Sequence, residues 1–151
     1  MDLMVIDEMT EKECAALATR SSLARLACAL DNQPYIVPFQ FAYEAGSMYA
    51  LATFGRKIEW MRENPKVCVS IDEIVSDSEW SSVVVTGAYE ELSEPRHREE
   101  REHARQLLER RNRWWQNAFA ERQAKEGEHL VDPIFFRIRI ASMTGLRARP
   151  G

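Results

Sequence analysis

The chain alternates short apolar segments with turn-forming residues, and this pattern constrains the fold more than any other feature. All but the first of them contain the aromatic and β-branched residues that are typical of strands. They lie at residues 23–30, 35–44, 48–53, 66–72, 80–92 and 133–140. Strands joined by hairpins form antiparallel sheets, and this many strands in 151 residues favour a closed or split barrel with helices packed outside.

Three helices are predicted between these strands. Thr10 and Glu13 form a capping-box pattern at the start of the first helix. A second, short helix follows a turn at residues 54–55 and ends before Pro65. The third is long, over about residues 93–126, and its apolar residues recur at three- and four-residue steps. The sequence therefore predicts a single domain over residues 1–151, in which the long helix is an insertion.

Composition is that of an ordinary globular protein, with 45% hydrophobic and 29% charged residues. A net charge of −4 gives no indication of nucleic acid or an anionic membrane as partner. No run has the length of a signal peptide core or a transmembrane span. Cys14, Cys28 and Cys68 are odd in number and widely spaced, which disfavours a disulfide framework and fits a cytoplasmic location.

The sequence contains few residues in patterns that are typical of acid–base catalysis. His97 and His103 are six residues apart, which is the wrong spacing for a metal-binding pair on a helix. A nucleophile elbow, a hydrolytic triad and the glycine-rich nucleotide fingerprints are all missing from the sequence. No metal site is predicted and no catalytic residue can be named. An enzyme of this composition would rely on a cofactor for its chemistry.

Two cations open the second helix at an unusual place. Arg56 and Lys57 occupy the first turn, where the helix dipole disfavours positive charge. Together with free first-turn amides and the hydroxyl of Thr53, they would form a cradle for a phosphate group. The alternative interpretation is a solvated basic turn, and the residues alone do not separate the two.

Pro38 interrupts an apolar strand and removes one donor from the sheet. That strand should therefore lie at an edge or be locally unpaired, either as a plain barrel rim or as backbone free to meet a planar ligand. Trp80 opens a later strand, where it could lie in the core or over a ring.

Taken together, these segments resemble the pyridoxamine 5′-phosphate oxidase-like, FMN-binding split-barrel proteins, above all the small branch related to nitroimidazole-resistance flavoproteins. The resemblance runs from about residue 8 to residue 92. It rests on the order and spacing of the segments at residues 26–29, 33–39, 48–57, 63–68 and 80–87.

The resemblance implies a mainly β fold, a six-stranded antiparallel split barrel that forms a homodimer with FMN at the subunit interface. Arg56 and Lys57 would hold the FMN phosphate. The positions expected to line the ring system and ribityl chain are Val37, Pro38, Phe39, Gln40, Leu51, Ala52 and Thr53, with Trp80 and Ser82 on the later strand.

Two departures from the family pattern bear on activity. Ala52 stands where the nitroimidazole-related branch often has His, and residues 145–150 do not reproduce the substrate motif of true pyridoxamine phosphate oxidases. Vitamin B6 synthesis is therefore not predicted. Two hypotheses remain: an FMN-dependent oxidoreductase acting on a small conjugated or aromatic acceptor, or a module that binds flavin or another phosphorylated cofactor without turnover.

Overall fold

The computed structural model describes residues 3–111 and 133–151. Eight strands and three helices lie within these ranges. In chain order they are β1 (Met4–Met9), α1 (Glu11–Arg20), β2 (Leu23–Leu30), β3 (Gln33–Gln40), β4 (Ala42–Glu44), β5 (Ser47–Ala52), α2 (Arg56–Glu63), β6 (Lys66–Ser76), β7 (Glu79–Glu91), α3 (Arg98–Arg111) and β8 (Ile134–Pro150).

All strand pairs are antiparallel, in the order β3-β2-β6-β7-β8-β5-β4, and β1 pairs with β8. The first and last strands of this order, β3 and β4, follow each other in the chain with only Phe41 between them. The two ends of the sheet are therefore joined at Phe41, whose side chain is fully buried. This connection closes the sheet into a barrel.

The barrel interior is built from alternate residues of each strand, because successive side chains point to opposite faces. One row across five strands consists of Val37, Leu26, Val69, Val85 and Met143. Helix α1 adds Leu17 and α2 adds Ile58 and Met61 to the same core. Helix α3 covers the outside of β4, β5 and β8 through a second cluster that contains Ala104, Leu107 and Leu108.

The mainly β, antiparallel fold predicted from the sequence is confirmed, with more strands than expected. The sheet has eight strands where the resemblance implied six. Strand β1 lies outside the predicted strands, and the apolar run 35–44 is divided at Phe41 into β3 and β4. Strand β8 continues to Pro150, ten residues past the predicted end, because its second half pairs with β1 and β7.

The long helix begins later than predicted. The amide of Leu92 donates to the carbonyl oxygen of Phe135 at 2.8 Å, so residue 92 still follows the sheet. Residues 94–97 form turns, with a 2.7 Å bond from the amide of His97 to the carbonyl of Ser93, and α3 starts at Arg98. The remainder of the predicted helix, from residue 112 to residue 126, lies outside the described residues.

Gly87 marks a shift in the register between β7 and β8, and glycine inside a strand often accompanies such an irregularity. A Cβ atom at this position would lie 2.4 Å from the carbonyl oxygen of Arg139. That oxygen belongs to the backbone of β8, which is held in the sheet. The close approach of the two strands therefore requires glycine.

We expect Gly87→Ala to lower the free energy of unfolding by about 1–3 kcal/mol, because the added methyl group overpacks against backbone. Urea unfolding followed by circular dichroism measures the change. Gly55→Ala is the matched control, since a Cβ there meets nothing within 4 Å. Equal stability of the Gly87 variant and the control would contradict the packing argument.

Candidate functional site

The barrel has a split where β3 and β5 separate. Ala42 of β4 lies opposite Tyr49 of β5. If the β4–β5 register continued beyond Phe41, Gln40 would lie opposite Leu51. Instead, β3 pairs only with β2. Val37–Gln40 therefore flank the split on one side and the end of β5 flanks it on the other. The strand carrying Pro38 therefore lies at an edge of the sheet, one of the two predicted placements, and Pro38 itself is paired with Arg25 of β2.

Helix α2 begins at the end of β5, and its N-terminus is open. Its N-cap is Gly55, which provides no side-chain acceptor, and the first intrahelical bond runs from the amide of Glu59 to the carbonyl of Gly55. The three preceding amides of the first turn have no acceptor within the helix. By contrast, α1 is closed by a full capping box between Thr10 and Glu13. The start of α2 can therefore bind an anion.

Arg56 is exposed, and its guanidinium lies over the ring of Tyr35, 5.2 Å from the ring centroid. Tyr35 in turn packs against Trp60, with ring centroids 5.5 Å apart. No carboxylate pairs with Arg56 among the residues that the structure describes. The aromatic contact fixes the direction of the guanidinium while leaving its N–H groups available.

Lys57 is half-buried, and burial lowers the pKa of its ammonium group. Its neighbour Cys28 is almost fully buried, which raises the pKa of that thiol. The thiol is therefore neutral at pH 7 and cannot compensate the charge. Within the described part of the chain no carboxylate pairs with Lys57, so a cation is partly removed from water without a counter-charge.

The predicted residues of β3 differ in what they present to the split. Val37 packs partly against the barrel core, and Pro38 is exposed. Phe39 is 5% exposed, with its ring stacked between those of two other core phenylalanines, so only its backbone can reach a ligand. The Oε1 atom of Gln40 is buried and has no hydrogen-bond partner among the described residues. An acceptor in that state is free for a ligand N–H group.

On the other side of the split, Leu51, Ala52 and Thr53 are all half-buried. Leu51 faces the cluster under α3, whereas Ala52 faces the barrel core. Thr53 follows the last residue of β5 and precedes the turn into α2. The residues 37–40, 51–53 and 56–57 are thus brought together around one split.

Trp80 and Ser82 lie elsewhere in the same chain. Ser82 is on β7, three strands from Gln40, which is roughly 15 Å across the sheet. Its hydroxyl donates to Asp72 at 2.6 Å. Trp80 lines a cavity of about 310 Å³ together with Glu13 and other residues of α1 and β8. A single chain therefore does not bring these two residues to the split.

Ser82 shares the outer face of the sheet with β3. Because antiparallel neighbours pair residue by residue, rows can be followed across five strands. Of the ten residues in two such rows, only Arg25 is charged. The first row is Ile36, Ala27, Cys68, Thr86 and Ser142, and the second is Pro38, Arg25, Ser70, Val84 and Thr144. Ile36 and Val84 are 61% and 42% exposed, so this neutral face can bind a partner.

Comparison with known proteins identifies the chain. A family model described as pyridoxamine 5′-phosphate oxidase matches residues 10–147. The chain belongs to this family. An uncharacterized protein, RA0666, from Rhizobium meliloti (strain 1021) is 40% identical over 149 residues, which covers 98% of this chain and 99% of that protein.

Two solved structures are similar to the chain over nearly its whole length. A protein described as FAD-binding, mll6688 from Mesorhizobium loti, is 39% identical with a TM-score of 0.77, covering 96% of this chain and 98% of its own. A protein provisionally described as conferring 5-nitroimidazole resistance, from Bacteroides thetaiotaomicron, has a TM-score of 0.70 at 17% identity, covering 99% and 92%. The latter shows the fold alone. The family and the split-barrel fold inferred from the sequence are confirmed.

Metal-binding clusters and membrane-spanning helices are absent from the part of the chain that the structure describes. In residues 3–111 and 133–151, no three His, Cys, Asp or Glu side chains are grouped so as to hold a metal ion. No helix in these ranges has the length and hydropathy to cross a membrane. The cysteines at positions 14, 28 and 68 are unpaired.

The sequence did not indicate the contacts that position the two cations. Tyr35 and Cys28 lie in segments that matched the family, yet nothing in the spacing of residues 28, 35 and 56 shows that they meet. The partners follow from the antiparallel pairing of Cys28 with Tyr35 on β2 and β3. A strand prediction that included register would have found them.

We expect Lys57→Met to make the ligand-free protein more stable, because it removes a half-buried charge that has no counter-charge. The pKa of Lys57 is lower in the folded than in the unfolded state, so the unfolded chain binds more protons between the two values. Stability of the native protein should therefore rise with pH toward the ordinary lysine value of 10.5.

In Lys57→Met the free energy of unfolding should no longer rise with pH. Urea unfolding at a series of pH values measures this. Arg56→Met is the control, because Arg56 is exposed and its removal should leave the pH profile unchanged. A lower stability of Lys57→Met at pH 7 would contradict the assignment of Lys57 as an uncompensated cation.

Proposed function

We propose that the protein is a flavoprotein that binds FMN in the split, with the FMN phosphate on Arg56, Lys57 and the first-turn amides of α2. The observation that carries this proposal is Lys57, a half-buried cation without a counter-charge beside an uncapped helix N-terminus. A dianionic phosphate would neutralise it and accept hydrogen bonds from the amides. Similarity to the FAD-binding mll6688 protein supports the choice of a flavin.

The remaining residues of the split suit the other parts of FMN. The buried Oε1 of Gln40 can accept a hydrogen bond from the ring system, which has an N–H group at its pyrimidine edge. Along 37–40, the backbone groups that point away from β2 offer further donors and acceptors for the ribityl chain, as does the segment 51–53. The ring system would be held between these two flanks, away from bulk water.

We further propose that the protein is a homodimer with FMN at the interface of the two subunits. The neutral outer face carries both Pro38, at the split, and Val84, close to Ser82 on β7. Two copies packed through this face would bring Trp80 and Ser82 of one subunit to the split of the other. A single chain separates these residues by several strands, so the predicted residue set is completed by a second copy.

Flavin, when bound, supplies hydride and electron transfer. The preferred activity is therefore an oxidoreductase acting on a small conjugated or aromatic acceptor, with this chain orienting the acceptor and excluding water. The second candidate is a binding or sensing module without turnover. It is favoured by the side chains flanking the split at 37–40 and 51–53, none of which is an acid or a base near neutral pH. Consumption of reduced nicotinamide by the FMN-loaded protein separates the two.

We expect Arg56→Ala and Lys57→Ala each to weaken FMN binding by about ten- to a hundredfold. A charge-assisted hydrogen bond contributes roughly 1.5–3 kcal/mol, and about 1.4 kcal/mol corresponds to one decade in affinity. Riboflavin lacks the phosphate, so its weaker affinity should barely change. Fluorescence titration of both ligands against both variants provides the measurement.

If FMN affinity is unchanged in both variants, or if riboflavin loses as much as FMN, the cations do not hold the phosphate. The turn would then be a solvated basic turn. Thermal unfolding without ligand serves as the folding control, since loss of a cation at a helix N-terminus is neutral or slightly favourable.

The interface site predicts complementation between two damaged subunits. One variant carries Arg56→Ala and Lys57→Ala, and the other carries Trp80→Ala and Ser82→Ala. Each homodimer should bind FMN weakly, because both of its sites lack one half. In the mixed dimer, one site receives all four substitutions, because it takes residues 56 and 57 from the first variant and residues 80 and 82 from the second. The other site therefore contains only native residues.

Purified mixed dimers, selected with two different affinity tags, should therefore bind about one FMN per two chains with native affinity. Mixed dimers of wild type with either variant provide the reference for a half-intact site. Absence of tight binding in the complemented dimer would place all four residues in a site of one chain. Tight binding by either damaged homodimer would place the two residues changed in it outside the site.

A further inference from the structure

An exposed aromatic ring stands next to the cations of the split. Phe54 is 56% exposed although phenylalanine is usually buried, and it precedes the N-cap of α2. Residues 54 and 56 are close in the chain, so their Cα atoms are at most about 7 Å apart. A group attached to a phosphate at Arg56 therefore lies within reach of the Phe54 ring.

The ring is held in place rather than free to rotate in solvent. The guanidinium of Arg62 lies over one face, 5.3 Å from the ring centroid. Arg62 is fixed by two hydrogen bonds to Glu91, at 2.8 and 3.1 Å, and Glu91 also accepts a 2.6 Å bond from the hydroxyl of Tyr89. Phe54 is thus an oriented ring with one covered face, and its other surface is exposed.

We infer that Phe54 forms a subsite for the adenine ring of FAD, which stacks on its open face while the phosphates lie at Arg56 and Lys57. This inference rests on the proposed function, because it extends the same phosphate site by one nucleotide. A purine base stacks well on an aromatic side chain whose orientation is already fixed. The protein consequently prefers FAD to FMN, since FMN has no group that reaches Phe54.

The charges around Phe54 agree with a neutral base rather than a further phosphate. The Arg62 guanidinium is already paired with Glu91, and this pairing lowers the pKa of the Glu91 carboxyl although burial opposes it. Arg62 therefore orients the ring, and its charge is compensated. Arg56 and Lys57, by contrast, have no carboxylate partner among the described residues and are available to the phosphates.

Calorimetric titrations of FAD and FMN against the full-length protein test the inference. For Phe54→Ala the dissociation constant of FAD should rise by roughly tenfold or more, the scale of a lost base–aromatic stack. The dissociation constant of FMN should change by less than about twofold. Phe54→Tyr keeps an aromatic ring and should retain FAD affinity. Met4→Ala removes another exposed apolar side chain, at the start of β1 opposite Pro150, and should change the affinity of neither ligand.

Three results would overturn the inference. FAD and FMN could weaken equally in Phe54→Ala, which would place Phe54 against the flavin half or the subunit interface. FAD affinity could be unchanged, which would make Phe54 a solvated ring. Wild-type protein that binds neither flavin would refute the proposed function as well, whereas the first two results leave flavin binding intact.

Discussion

The structure depends on one segment of chain that forms the strands at both ends of the sheet. Residues 33–44 pair with β2 in their first part and with β5 in their last, and the direction changes at Phe41. Because that side chain is fully buried and stacks with Phe39, the bend is fixed by the core. Closing the barrel this way leaves β3 and β5 unpaired with each other over several residues. The split is thus a consequence of how the barrel closes, and no additional segment is needed to form it.

The side chains that flank the split at 37–40 and 51–53 carry no charge, and the positive charge of the site comes from the residues at its end. An uncapped helix start and two cations on consecutive positions concentrate positive potential where β5 ends. The contrast with α1 is informative, because the same chain closes that N-terminus with a capping box. An interaction that would stabilise the free protein is present in one helix and replaced by glycine in the other. Such local cost is typical of functional sites.

Most of the strands and the start of α1 could be predicted from the sequence, because apolar alternation, turn residues and caps are local signals. The division at Phe41 could not, since 35–44 is a continuous apolar run and the change of partner is a long-range event. For the same reason β1 and the second half of β8 were missed, because each depends on the other for pairing. The site residues around Arg56 were predicted by family pattern and physical argument together, and they stay a prediction. Trp80 and Ser82 lie away from the split within one chain, and their place in a site shared with a second chain stays a proposal.

Strand β8 has a consequence for how the molecule reaches its native state. It contacts β1, β5 and β7, which together span the chain from its first strand to residue 91, and it follows all of them in the sequence. The barrel therefore cannot close while the ribosome is still upstream of β8, and until then the edges of β5 and β7 stay unpaired. Contacts between residues so far apart are slow to form. Such open strand edges favour association between nascent chains, so correct folding in the cell would benefit from chaperones that cover these strands during synthesis.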